Sequence, residues 1–130
     1  SANAYVTAPA VDQRQVNEMV RGLASDLPAG VDLSKAKAWA YSASGGTFNA
    51  SFNMKSVTNG STGNYAYVLG IPMKSANYVV VSMTAHGADT TVTEGTGDRV
   101  STGFGLQIYS GGSLTNAAHS VVVFGELENE

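Results

Sequence analysis

Residues 64–85, NYAYVLGIPMKSANYVVVSMTA, hold a single charged side chain, Lys74, in twenty-two positions. A stretch so poor in charge must cross a membrane, fill a core or lie against another chain. No unbroken apolar run approaches the ~18–20 residues that a membrane-spanning helix needs, and the Pro-Met-Lys-Ser-Ala segment at 72–76 interrupts this one. The pattern on either side is that of strands, NYAYVLGI (64–71) and NYVVVSMTA (77–85), rich in Val and Tyr. Together they read as a β-hairpin whose inward side chains fill a core and whose outward Val and Tyr residues are covered by neighbouring chains. Only Lys55 and Lys74 are charged between residues 38 and 88, a surface that predicts a homo-oligomer.

The rest of the chain after residue 35 follows the same style. Strands are predicted over KAWAYS (37–42), TFNASFNMKSV (47–57), GFGLQIYS (103–110) and SVVVFGE (120–126), with a weaker one within 90–101. Turn residues stand between them at 44–46, 59–63, 72–76 and 110–118. Gly, Ser, Thr and Asn make up 49 of the 130 residues and charged residues 13%. That balance suits strands and tight turns better than exposed helices, which usually carry Lys, Glu and Arg. Short, regularly spaced strands predict a mainly β chain folded as an antiparallel β-sandwich. Alternation puts Tyr65, Tyr67, Leu69 and Ile71 on one face, and Phe104, Leu106 and Ile108 on another. Phe48, Phe52 and Met54 fall on one side, and Trp39 reads as a core residue. NYVVVSM and SVVVF are apolar on both faces, the mark of strands covered on both sides.

Residues 1–34 read as a separate segment preceding a β-sandwich domain at 35–130. Val16, Val20, Leu23 and Leu27 lie at steps of four, three and four, one stripe of a short helix. Pro9 or Asp12 marks its start, and Pro28 with Gly30 ends it. About two heptads are marginal alone in water, so the stripe packs on its own domain or on its copies in an oligomer. The uncharged SANAYVTA that opens the chain is either a free tail or a peptide that docks onto a larger assembly.

Chemistry is sparse. The net charge is −3 with no cluster of Lys or Arg, which argues against nucleic acid, whose phosphates require clustered cations. The chain has no cysteine, which removes disulfides and thiolate metal sites and fits assembly in a reducing cytoplasm. His86 and His119 are the only histidines, with no spaced pair for a metal. No nucleophile elbow surrounds a serine, and no glycine-rich loop joins a strand to a helix to cradle a phosphate. Asp89, Glu94 and Asp98 with Arg99 sit in GADTTVTEGTGDRV, which reads as a solvated loop or edge hairpin. The functional options are sugar recognition by Asp98 and Arg99 and, with a spacing that matches no known loop, calcium binding by the clustered oxygens. The expectation is a non-enzymatic protein without cofactor or metal. Its recognition residues would lie in the 86–99 and 110–118 loops: His86, Asp89, Asp98, Arg99, Tyr109 and Asn116.

One family resemblance fits these residues. Lys37-Ala38-Trp39, Ser51-Phe52-Asn53, Gly63-Asn64-Tyr65, Pro72-Met73, Asn77-Tyr78, Gly103-Phe104 and Phe124-Gly125 occur in the order and spacing of the C-terminal domain of bacteriophage tail-fibre proteins. The chain resembles that family over about residues 36–126 and departs from it at 40–46. The resemblance implies a homotrimeric β-sandwich in the virion, which recognises glycan or protein on the host surface through loops. It also implies that residues 1–34 are an N-terminal anchor and helical neck joining other tail or capsid proteins, and residues 35–130 the tip domain. It implies no catalytic residue. A decoration or spike protein whose main role is anchoring and assembly is the alternative that the same features allow.

Overall fold

The computed structural model describes residues 31–85, 89–95 and 98–130. The expected helix over 11–30, the neck residues Val16, Val20, Leu23 and Leu27, and His86 lie outside the described residues.

Among the described residues nine strands form two antiparallel sheets: β1 Ala38–Ser42, β2 Phe48–Phe52, β3 Met54–Ser61, β4 Asn64–Leu69, β5 Val79–Thr84, β6 Thr90–Glu94, β7 Gly103–Ser110, β8 Ser113–Leu114 and β9 His119–Phe124. The first sheet has the order β2-β1-β9-β5. The second has the order β3-β4-β7-β6, with the short β8 paired to β7. Their inner faces meet in one core in which Tyr65, Tyr67 and Leu69 of β4, Phe104, Leu106 and Ile108 of β7, and Val121 and Val123 of β9 are buried. The period-two alternation of these strands therefore selects the inner face as expected. Ile71 is the exception: β4 ends at Leu69, and Ile71 is exposed.

The charge-poor stretch does not form a hairpin. β4 belongs to the second sheet and β5 to the first, so residues 70–78 cross from one layer to the other. Met73 and Tyr78 are buried beneath that crossing, and the Tyr78 hydroxyl lies 2.8 Å from the Val100 carbonyl and 2.7 Å from that of Gly103, to which it donates. Local alternation identified both strands but carried no information on which sheet each would join.

Residues 47–57 are likewise two strands. Asn53, at φ 52°, turns the chain from β2 in the first sheet to β3 in the second. Asn tolerates this left-handed region better than most residues, and here its side chain supports the corner. Its Nδ2 donates to the carbonyls of Lys37 (3.1 Å) and Ile71 (3.2 Å), while its Oδ1 accepts from the Ile71 amide (2.6 Å). Because the sheet changes at this corner, parity across it loses its meaning. Phe48 and Met54 pack against the core, whereas Phe52 is exposed.

A buried polar chain ties the two layers together. Ser42 Oγ lies 2.6 Å from the Tyr67 hydroxyl, which lies 2.6 Å from His119 Nε2, and His119 Nδ1 lies 2.9 Å from the Ala117 carbonyl. A carbonyl only accepts, so Nδ1 carries the proton, Nε2 accepts from Tyr67, and Tyr67 accepts from Ser42. Burial pushes the Tyr67 hydroxyl up to about 12 and His119 below its ordinary value, so both stay neutral at physiological pH. Tyr65 extends the network by donating to the Ser44 carbonyl at 2.6 Å and accepting from the Ala117 amide at 3.1 Å.

Candidate functional site

The register divides the expected recognition residues between opposite ends of the sandwich. Ser42 pairs with His119, and His119 with Thr84. Thr90 pairs with Ser110, and Asn64 with Gln107. The turns at 43–47 and 62–63, the segment after β5 and the 111–118 loop therefore share one end, with Asp89, Tyr109 and Asn116. The other end holds the start of β1, the Asn53 corner, the 70–78 crossing and the 98–102 segment, whose isolated Val100–Gly103 bridge opens β7. Asp98 and Arg99 are there, roughly 20 Å away by the rise of six strand residues. The five described residues do not form one site.

Most of the five within the described residues serve the fold. Asn116 Oδ1 accepts from the Gly63 amide at 2.8 Å and from Asn59 Nδ2 at 3.1 Å, which pins the β3–β4 turn to the last loop. Arg99 forms a two-toothed pair with Glu94 at 2.7 Å on both nitrogens, donates to the Tyr78 carbonyl and lies 5.3 Å over the Tyr78 ring. Glu94 also holds its guanidinium above the ordinary value. Tyr109 is half-buried and donates to Gln107 Oε1 at 3.2 Å. Asp89, at φ 69°, starts β6, and its carbonyl accepts from Gly111. Residues 90–94 are strand β6, so the long loop expected at 86–99 is two shorter segments around it. Asp98, like Asp89, is exposed with a carboxylate that has no partner among the described residues.

The feature underestimated from sequence is the outer face of the first sheet. Phe52, Trp39, Val122 and Val81 stand in one row across its four strands. Ala50, Tyr41, Ser120 and Met83 form the next row, and Phe124 and Val79 begin a third. Trp39 is 40% exposed, Val81 55% and Met83 68%, and none of these ten residues is charged. Trp39 thus lies outside the core, contrary to expectation. Within β1 the small residues Ala38, Ala40 and Ser42 point inward and the aromatic ones outward. The alternation of KAWAYS contained that signal, but it was outweighed by the usual preference of Trp for an interior. Four strands about 4.8 Å apart and three rows of side chains make a panel of roughly 400 Å². That is the scale of the apolar centre of an interface.

Among the described residues no group of three His, Asp or Glu side chains could hold a metal, and no helix is long and apolar enough to cross a membrane. Compared with protein-family models, curated proteins and solved structures, the chain matches none.

Proposed function

We propose that this chain is the β-sandwich tip module of a homotrimeric bacteriophage attachment protein, a tail fibre or comparable virion appendage that meets the host surface. In this reading its N-terminal segment joins it to other tail or capsid proteins. The observation that carries it is the uncharged apolar face of the first sheet, which in a lone chain leaves Trp39, Tyr41, Phe52, Val79, Val81 and Met83 in water. Six half-exposed side chains are worth about 1 kcal/mol each on full burial. Three copies that each bury this face around a common axis would then gain about 18 kcal/mol, comparable with two association steps at ~4–15 kcal/mol each. The order of motifs shared with tail-fibre domains gives this assembly its biological setting.

The reading contains no catalytic step. Among the described residues Ser42, Tyr67 and His119 form a serine–histidine grouping, and their nearly complete burial denies them a substrate. A second reading, a decoration protein whose role is assembly, is favoured by the dispersal of the expected recognition residues and the use of Arg99 and Asn116 within the fold. Sedimentation equilibrium on the full chain is expected to give a trimer at micromolar concentration, and a monomer overturns both readings. Purified protein added to host cells is expected to block phage adsorption, whereas protein that leaves adsorption untouched favours decoration.

A further inference from the structure

The outer face of the second sheet carries a shallow groove of about 350 Å³ between the end of β3, the middle of β4 and β7, and the 98–102 segment. Its floor is the backbone at Gly103 and Gly105. Thr58, Val68 and Thr102 form its sides, and Asp98 stands at its margin. The Asp98 carboxylate occupies the space where a side chain would otherwise stand on two neighbours. A Cβ added to Gly95 or to Gly105 would collide with it. Glycine at both positions therefore seats this carboxylate against the sheet.

Three properties define what such a groove accepts. The Asp98 carboxylate and the hydroxyls of Thr58 and Thr102 have no hydrogen-bond partner among the described residues. An ionised carboxylate only accepts, so the complementary ligand must donate. Among the described residues no cationic side chain lines the groove, and Arg99, next to Asp98, is committed to Glu94 and Tyr78. An anionic ligand would meet an unshielded like charge. The volume lies near the lower bound of ~300–1,000 Å³ for small-molecule sites, and the mix of hydroxyls with Val68 is of the kind found in them.

We infer that this groove binds a neutral, hydroxyl-rich saccharide, with Asp98 accepting from a pair of sugar hydroxyls and Thr58 and Thr102 completing the contacts. The inference rests on the attachment reading for its setting and adds the ligand class. The ligand would enter from the side of the sandwich, on the layer opposite the assembly face, so assembly leaves the groove open.

The test is an amide-shift titration of the full chain by NMR. The probes are neutral glucose, galactose and mannose tetrasaccharides, a galacturonate tetrasaccharide, and tetralysine. At least one neutral sugar is expected to shift the Gly103 and Gly105 amides, with the uronate at least about tenfold weaker, since ~1.4 kcal/mol of charge repulsion suffices for that. Asp98→Ala and Thr58→Val are each expected to weaken the neutral sugar about tenfold or more while the rest of the spectrum stays in place. Thr58→Val keeps the test valid if Asp98→Ala disturbs the 95–103 segment. No shift at those amides with any neutral sugar, unchanged binding in both variants, or binding of tetralysine alone overturns the inference. Full-chain protein that blocks adsorption equally well as Asp98→Ala rejects the groove and leaves the attachment reading. Protein that binds the sugar but never blocks adsorption does the reverse.

Discussion

Across the middle of the first sheet, neighbouring strands set Phe52 against Trp39, Trp39 against Val122 and Val122 against Val81. At the corresponding depth of the second sheet the outward residues are Thr58, Ala66 and Gly105. Both rows project from antiparallel strands, and both sheets turn a well-packed inner face to the same core. The difference is confined to what faces away from it. Large apolar side chains without charge are stable only when something covers them, whereas hydroxyls and glycines are content in water and leave a concavity. One layer is thus suited to a protein surface and the other to a polar ligand, and the shared core holds the two faces in a fixed relation.

The sharpest way to break that contrast is to put the same charge on each face. Val81→Glu places a carboxylate in the centre of the apolar panel, where assembly would strip its water without supplying a partner. At several kcal/mol per buried unpaired charge, self-association is expected to weaken by about 1,000-fold or more in sedimentation equilibrium. Thr91→Glu, on the exposed outer side of β6, is expected to leave association unchanged. Neither substitution touches the core, so the thermal midpoint of the dissociated chain should move little. Equal behaviour of the two variants would remove the distinction between the faces.

Tyr67→Phe tests what holds the layers back to back. Tyr67 comes from the second sheet, whereas Ser42 and His119 come from the first. Removing one hydroxyl leaves Ser42 Oγ and His119 Nε2 buried without that bond, a loss of about 1–3 kcal/mol in urea unfolding. The same network predicts a pH response. His119 has a folded-state pKa lowered by burial, so below its ordinary value near 6.5 the unfolded chain binds the proton that the folded chain refuses. Stability is fully present above that value and is lost as pH falls from it toward the lowered pKa. Thermal midpoints measured from pH 7.5 to 5 should decline in the wild type and stay flatter in His119→Gln, which cannot take up the proton.

Much of the sandwich was legible because strand alternation is a local property. β7 was predicted with the boundaries it has, and the inward residues of β4 were identified from three alternate positions. Layer membership is set by contacts distant in sequence, so the crossing at 70–78 and the corner at Asn53 could not be read from local pattern. The assembly face was inferred from an excess of apolar residues, yet two of its main members, Trp39 and Tyr41, lie in a strand whose aromatic residues point the unexpected way. The groove was least legible. Asp98 was singled out for its charge, but its seat on Gly95 and Gly105 exists only once β6, β7 and Asp98 are brought together.

The smallest expected effect concerns the charge nearest the apolar face in sequence. Lys37 stands two residues before Trp39 and is 7% exposed. Its ammonium is held by both carboxylate oxygens of Glu130, at 2.5 and 2.6 Å, away from water and already paired. Glu130 is only partly covered, so the pair is worth less than a fully buried one, and Glu130→Gln should destabilise the chain by about 1 kcal/mol or less. The hydrogen bond from Lys37 holds the Glu130 carboxyl below its ordinary value. The pair therefore contributes above about pH 4.5 and loses its contribution as pH falls through the lowered pKa. Urea unfolding of wild type and variant should differ at pH 7 and converge at the acid end, where a protonated Glu130 and a Gln are alike. If Lys37 is kept off the apolar face by this pairing, Glu130→Gln should also weaken self-association slightly at pH 7. Unchanged association would mean that the panel tolerates a charge at its edge and excludes one only at Val81.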